Sequence, residues 1–226
     1  MTGAGISKES GIPTFREAQV GLWAQYNPEE LATPEAFQKN PALVWEWYTW
    51  RRALIANSNP NEGHLALVEM EAHIPYFTLI TQNVDGLHKR AGSRNVLEIH
   101  GNIMRSKCFE ENTFVREATQ ERARPPTCPT CGSYMRPDVV WFGEALPPNI
   151  LTAAWEAAEQ AEVFLSVGTS AIVQPVASLP GVSKRAGATL VEVNTEETPI
   201  SHMATYQFRG PAGMILPELV AQTWPL

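Results

Sequence analysis

The chain opens Met1-Thr2-Gly3-Ala4-Gly5-Ile6-Ser7 and continues through Glu9-Ser10-Gly11-Ile12-Pro13-Thr14-Phe15-Arg16. Two glycines one residue apart allow a tight turn and a close approach of backbone to ligand. The N–H groups of a following helix would then face a phosphate. The third glycine of a full dinucleotide fingerprint would fall at Lys8, so the match is partial. A loop of this kind belongs at the end of a buried strand, yet only Met1 and Thr2 precede Gly3. The expectation is a first strand that is cut short or absent.

Outward from that loop, short apolar runs rich in β-formers lie at Tyr76–Ile80, Val96–Ile99, Val163–Val167 and Thr189–Val193, with a weaker one at Thr205–Phe208. Helical stretches fall between them, at about Pro34–Ala56, Glu62–Ala72 and Leu151–Gln160. Thr33, Pro34 and Glu35 supply the N-cap, first-turn proline and acidic residue of a helix start. Strands alternating with helices give an α/β fold, a mostly parallel sheet covered on both faces, with ligand sites on the loops after strand C-termini. Between about Arg105 and Pro137 the alternation fails, and all three cysteines lie there, which suggests a small inserted module.

Composition narrows the function classes. The 226 residues are 44% hydrophobic and 18% charged, which is globular and leaves out disordered and fibrous chains. No apolar run approaches the roughly 18–20 residues of a membrane helix, so no membrane partner is expected. With 17 Lys+Arg against 24 Asp+Glu and no basic block, the electrostatic footprint of a nucleic-acid binder is missing. Three cysteines cannot all pair, and no basic-then-apolar leader opens the chain, so a reducing cytoplasm is the expected location.

Four further segments sharpen the partial glycine match. They are Thr81-Gln82-Asn83-Val84-Asp85-Gly86-Leu87-His88, Glu98-Ile99-His100-Gly101, Val139-Val140-Trp141-Phe142-Gly143-Glu144 and Val167-Gly168-Thr169-Ser170. In this order, with the opening motif, they resemble the sirtuin family of NAD-dependent protein-lysine deacylases from Thr2 to about Leu219. The resemblance implies a Rossmann-like domain carrying NAD, a small zinc-ribbon-type domain, and an acyl-lysine protein or peptide in the cleft between them. It places Gly3, Ala4, Gly5, Thr14, Phe15 and Arg16 around the diphosphate and nicotinamide ribose. Gln82, Asn83 and Asp85 would line the nicotinamide side, and Gly168, Thr169 and Ser170 would take phosphate and ribose. Asn194 would hold the adenosine ribose, with Ala212 beside the adenine.

In that chemistry the acyl oxygen displaces nicotinamide from the ribose, and a ribose hydroxyl must then lose a proton. A histidine at a strand end suits that step, and His100 is the expected general base. His88 reads as a structural hydrogen-bonder, while His64, His73 and His202 match nothing in the pattern. Val140, Phe142 and Gly143 belong to the implied substrate strand, whose backbone would pair with the peptide.

Two features separate this chain within the resemblance. On a helix, Tyr48 and Arg51 are i,i+3 and share a face. An Arg fork beside a Tyr hydroxyl suits a carboxylate, and this Y-x-x-R is similar to the subgroup that removes succinyl and malonyl groups, with acetyl removal retained. The alternative is a solvated arginine beside core aromatics. The second feature is the metal motif. Cys128 and Cys131 form one C-x2-C pair, but the other has Cys108 with Glu111 in place of its second cysteine. Three thiolates and a carboxylate can hold one tetrahedral zinc ion; loss of the metal is the competing reading.

The expected division is 1–32, 61–104 and 138–226 for the Rossmann-like domain, 33–60 for a helical part with the acyl-specificity residues, and 105–137 for the zinc module. Two other functions stay open at this point: a catalytically impaired NAD- or acyl-peptide-binding module, and a protein ADP-ribosyltransferase. A hydride-transferring dehydrogenase is disfavoured by the incomplete glycine pattern. Protein targets and oligomeric state are not legible.

Overall fold

Leu79 and Ile80 are neighbours in sequence and face opposite sides of a sheet, which sets the layer order. In the computed structural model, which describes residues 1–14, 26–27, 31–114 and 124–225, both are 2% exposed but belong to different cores. The described strands are β1 (Leu79–Thr81), β2 (Val96–Glu98), β3 (Gly101–Cys108), β4 (Met135–Val139), β5 (Val163–Val167), β6 (Thr189–Asn194) and β7 (Tyr206–Arg209). The described α-helices are α1 (Pro34–Lys39), α2 (Pro41–Ala56), α3 (Glu62–His73), α4 (Leu87–Ala91), α5 (Pro148–Glu159), α6 (Leu179–Arg185) and α7 (Ala212–Thr223).

β1 pairs parallel with β2, and β5–β6–β7 form a second parallel set. The opening residues join the two. Thr2 N donates to Ile80 O at 2.8 Å and Thr2 O accepts from Gln82 N at 3.0 Å. On the other side, Gly3 N donates to Val167 O at 3.0 Å and Met1 O accepts from Val167 N at 2.9 Å. Thr2 therefore bridges β1 and β5, both in parallel. The strand expected to be cut short or absent is present as the short segment Met1–Gly3, at the centre of a sheet ordered β2, β1, Met1–Gly3, β5, β6, β7.

Period-2 alternation sends Leu79, Val167, Val191 and Val193 to one face, against Leu67 and Met70 of α3 and Leu216 and Val220 of α7. Ile80, Phe164 and Leu190 go to the other face, against Ala154 and Ala158 of α5 and Leu179 of α6. A parallel sheet with helices on both faces is thus confirmed.

Local chemistry corrects two expectations. The helix read as Pro34–Ala56 is two helices, because Pro41 has no N–H to give and disfavours helical geometry at Asn40. Asn40 adopts φ −148°, ψ 78°, and its side chain caps α2 by accepting from Leu43 N at 3.2 Å. The stretch from Arg105 to Pro137, read as lacking periodicity, carries the second half of β3 and the first three residues of β4, an antiparallel pair whose register shifts between Asn102 and Ser106. That bulge breaks the alternation. Both strands run across the residue 104/105 and 137/138 boundaries, so the hairpin ladder continues out of the cysteine module.

A third core lies between α2 and the β3/β4 pair. It contains Phe37, Trp47, Tyr48, Ile103, Val139 and Trp141, all at most 6% exposed. Each large side chain so buried stabilises the fold by about 2–3 kcal/mol. This core ties the helical segment to the residues that follow β4.

Candidate active site

The loops after β1, β2, β5, β6 and Met1–Gly3 all leave the same edge of the sheet. The chain runs to one side from Met1–Gly3 and to the other from β5, so the crevice between them is the topological switch point, where open α/β sheets bind ligands. The opening loop and the Gly168 loop touch there, with Gly5 N donating to Gly168 O at 2.8 Å. A Cβ on Gly5 would lie 2.7 Å from Gly168 Cα, so this glycine is required by backbone contact alone. The helix that follows the glycines, Ala4–Ser10, is a 3-10 helix. Thr14 is half-buried, whereas Phe15 and Arg16 lie outside the described residues.

Side-chain bonds link the converging loops. Gln82 Nε2 donates to Thr169 Oγ1 at 2.9 Å, and Asn194 Nδ2 donates to Thr169 O at 2.9 Å. Asn83 Nδ2 donates to Gly3 O at 3.0 Å and to Ser7 Oγ at 3.2 Å. Ser7 in turn donates to Asp85 Oδ2 at 2.8 Å, and Leu87 N donates to Asp85 Oδ1 at 2.8 Å. Burial pushes the Asp85 carboxyl above its usual range, against these two bonds. Beneath the loop, His88 Nε2 lies 2.8 Å from Thr2 Oγ1, the structural bond expected of it. Thr2 Oγ1 donates to Thr81, so Nε2 carries the proton. Burial holds His88 at about 3 and His64 at about 4, so both are neutral. Ser170 is exposed at the rim, and Ala212 is buried as the first residue of α7, where Glu9 caps Gly213 N at 2.7 Å.

His100 is half-buried, and its Nδ1 lies 3.1 Å from Gln82 O. A carbonyl can only accept, so Nδ1 bears the hydrogen and Nε2 the lone pair. Desolvation lowers the pKa of His100, with the Gln82 bond opposing it. Its backbone is fixed as well, since His100 O accepts from Val140 N at 2.9 Å. Gly101 beside it has φ +83°, and a Cβ there would sit 2.1 Å from Asp138 O. Gly101→Ala is therefore expected to destabilise the fold by roughly 2–4 kcal/mol, read as a lower urea midpoint at unchanged m-value.

Tyr48 is fully buried, and its hydroxyl oxygen accepts from Trp141 Nε1 at 2.8 Å. The Arg51 guanidinium lies over the rings of Trp47 (5.0 Å) and Tyr48 (5.7 Å), and burial lowers its pKa. Arg51 lines a small pocket with Ile12, Pro13, Trp50, Leu54 and Ile55. Tyr48 and Arg51 are thus adjacent, with Arg51 nearer the opening. The N–H groups of Val140, Trp141 and Phe142 are all used internally, by His100 O, Glu144 Oε2 and Ala32 O. The expected backbone pairing with a peptide cannot use these three donors. Phe142 is 43% exposed, and Gly143 is exposed beside it.

One donor atom from each of Cys108, Glu111, Cys128 and Cys131 lies within 4.8 Å of the others. Cys108 Sγ and Cys131 Sγ are 3.5 Å apart, and Glu111 N donates to Cys108 Sγ at 3.4 Å. Backbone N–H groups of Cys131 and Thr130 hold the Cys128 thiol down at about 7. Four converging donors of these types fit a zinc ion. The N–H···S bonds favour a thiolate at Cys128, while, against a backbone bond from Ser133, the neighbouring Cys108 and Cys128 thiols push Cys131 up to about 11.

Sequence reading did not single out Ser7, Thr169's bridging role, or the partnership of Trp141 with Tyr48. The last joins residues 93 positions apart. The available signal was chemical: a buried Trp N–H needs an acceptor.

Residues 3–175 match the profile of the Sir2 family. A relative from Aquifex aeolicus, called NAD-dependent protein deacylase, is 56% identical over 210 residues, covering 92% of this chain and 87% of that protein. A Sir2 homologue solved as its NAD complex superposes with a TM-score of 0.92 at 49% identity, covering 98% of this chain and 86% of the other. A Sir2 structure bound to acetylated peptide gives 0.87 at 31% identity, covering 98% and 91%. The crevice at the switch point, the histidine at its edge and the cysteine cluster thus sit on a chain that belongs to the Sir2 family.

Proposed function

We propose that the protein is an NAD-dependent protein-lysine deacylase that prefers acidic acyl groups, succinyl and malonyl over acetyl. The observation that carries the reading is the placement of His100, with its Nε2 lone pair available, on the same loop edge as the linked Gly3–Gly5, Gln82–Asp85 and Gly168–Ser170 segments. NAD, when bound, supplies an electrophilic ribose carbon with nicotinamide as leaving group. The chain's own residues do the rest. Ala4, Thr169 and Ser170 would offer backbone and hydroxyl donors at the switch point, while Gly3, Gly5 and Gly168, whose own N–H groups are bonded within the fold, keep the loops slim enough for a close approach. Thr14 would continue that side, with Phe15 and Arg16, outside the described residues, assigned to it by the family resemblance. Asn194 and Ala212 would hold the adenosine end, and Gln82, Asn83 and Asp85 would close the nicotinamide end. His100 Nε2 accepts the ribose hydroxyl proton.

Val140, Phe142 and Gly143 would border the acyl-lysine, with peptide pairing falling to Gly143 and to residues beyond Glu144, whose N–H is held by Trp141 O. The acyl carboxylate would meet the Arg51 guanidinium, with the Tyr48 hydroxyl behind it. Cys108, Cys128, Cys131 and Glu111 would hold one structural zinc ion per chain. On this reading 1–32, 61–104 and 138–226 carry the NAD side, 33–60 the acyl side and 105–137 the metal. A half-buried arginine without an acyl carboxylate loses part of its compensation, about 1–3 kcal/mol, which converts to a preference of roughly tenfold or more. Rates on succinyl-lysine and acetyl-lysine peptides test this, with nicotinamide release as the common readout. Arg51→Met is expected to lower succinyl turnover roughly tenfold or more and spare acetyl turnover; an unchanged ratio rejects the acyl preference.

A further inference from the structure

The Arg51 guanidinium lies on a stack of aromatic groups whose far end is an ion pair. Arg136 is 3% exposed, and its guanidinium carbon sits 3.3 Å from the Trp141 ring centroid. Its Nη1 and Nη2 both bond the Glu144 carboxylate, Nη2 at 2.9 Å, and Nη2 also donates to Val139 O at 2.7 Å. Glu144 additionally accepts from Trp141 N at 2.7 Å. The indole is therefore gripped from its face and from its own backbone. Its edge then points Nε1–H at Tyr48 Oη, 2.8 Å away. Tyr48 and Trp47 are packed edge to face with centroids 4.7 Å apart, and Arg51 rests over both rings.

A phenol oxygen accepts through its lone pairs and donates through one hydrogen. With a buried N–H on the oxygen, the hydroxyl hydrogen must turn away from Trp141. Hydrogen bonds in series also polarise one another, so the phenol becomes a better donor to an anion. The same contact fixes the ring on which the guanidinium lies.

We infer that Trp141 is a specificity-determining residue, acting through Tyr48: clamped by Arg136 and Glu144, its indole N–H commits the Tyr48 hydroxyl to donate and fixes the ring face that seats Arg51 for an acyl carboxylate. This rests on the acidic-acyl reading of the Arg51 pocket and extends it to a residue on the substrate strand. Trp141 is a positioning residue. It does not touch the acyl group itself, so its effect must appear as a change in substrate preference rather than a uniform loss of rate.

The test is Trp141→Phe, which keeps an aromatic ring and removes the N–H. The expected result is a fall of about fivefold or more in kcat/KM for succinyl-lysine peptide, carried mainly by KM. The value for acetyl-lysine peptide should stay within about twofold. In the Tyr48→Phe background, Trp141→Phe should change the succinyl-to-acetyl ratio by less than twofold, because the bond it removes is already gone. A ratio that moves less than twofold in the single mutant overturns the inference, as does an equal loss on both peptides. If the phenylalanine variant does not fold, 3-benzothienylalanine at position 141 replaces only the N–H by sulfur, and the same thresholds apply. The acidic-acyl reading fails separately, on the wild-type enzyme and Arg51→Met. The inference fails on the Trp141 variants, whichever substrate the wild type prefers.

Discussion

Replacing His100 with alanine is expected to lower kcat for deacylation by about 10²–10⁴-fold, the usual contribution of a positioned general base. The geometry confines the damage to that step. Among the described residues, only Nδ1 of the ring is used in a bond, to Gln82 O, so binding surfaces elsewhere in the crevice keep their partners. NAD and acyl-peptide dissociation constants should therefore change only a few-fold, measured by calorimetry. The pH profile of the intact enzyme supplies a second readout. The working form of His100 is neutral, and burial lowers its pKa from 6.5. Protonation is thus delayed to more acidic solution, so kcat/KM should rise with pH along a limb centred below 6.5 and be flat above it. An acid limb centred at or above 6.5, or an alanine variant retaining a tenth of the activity, would remove His100 from the role.

Zinc removal should be the next largest effect. Cys108, Cys128 and Met135 form the only core cluster found in this module among the described residues, too small to hold a fold by burial. Among the described residues, the ligand loops are closed by short-range backbone bonds such as Cys108 N to Thr113 O at 2.8 Å and Cys128 N to Ser133 O at 2.6 Å. Metal binding therefore has to supply most of the ordering free energy. Cys128→Ser is expected to drop bound zinc from about one equivalent to below half an equivalent, by elemental analysis. The melting temperature should fall by ~10 °C or more, with a chelator producing the same shift in the wild type. The loss would reach the active site along the hairpin. Arg105 on β3 bonds Asp138 on β4 at 2.9 Å and Glu98 at 2.7 Å, and Glu98 stands two residues before His100. Wild-type protein that purifies with under half an equivalent, and melts identically with chelator, would show that Glu111 has ended metal binding.

The layer architecture was legible from local pattern. Val163–Val167 matches β5 residue for residue, and Thr189–Val193 falls one residue short of β6, because burial on both faces writes itself as a short, mainly apolar run rich in Val and Leu. The helix break was legible too, from the rule that a proline restrains the residue before it, although Pro34–Ala56 was read through Asn40-Pro41 as one element. The family resemblance, together with motif spacing, also brought out the candidate ligands of the metal and the residues Tyr48 and Arg51.

What lay beyond reading was every relation across long separations. Met1–Gly3 are too few residues to show a period, yet they form the middle of the sheet, because partners from residues 80–82 and 165–167 supply the ladder. The tautomer of His100 follows from a carbonyl eighteen residues away. The donor role of Tyr48 follows from an indole brought 93 residues along the chain by the packing of α2 on the β4 end. Local sequence carries propensity, periodicity and ligand type, since those act over one turn or one pleat. Hydrogen-bond direction, burial and the shift of a pKa arise only when distant segments exclude water together, and these decide which of the chain's reactive groups can work as base, donor or ligand.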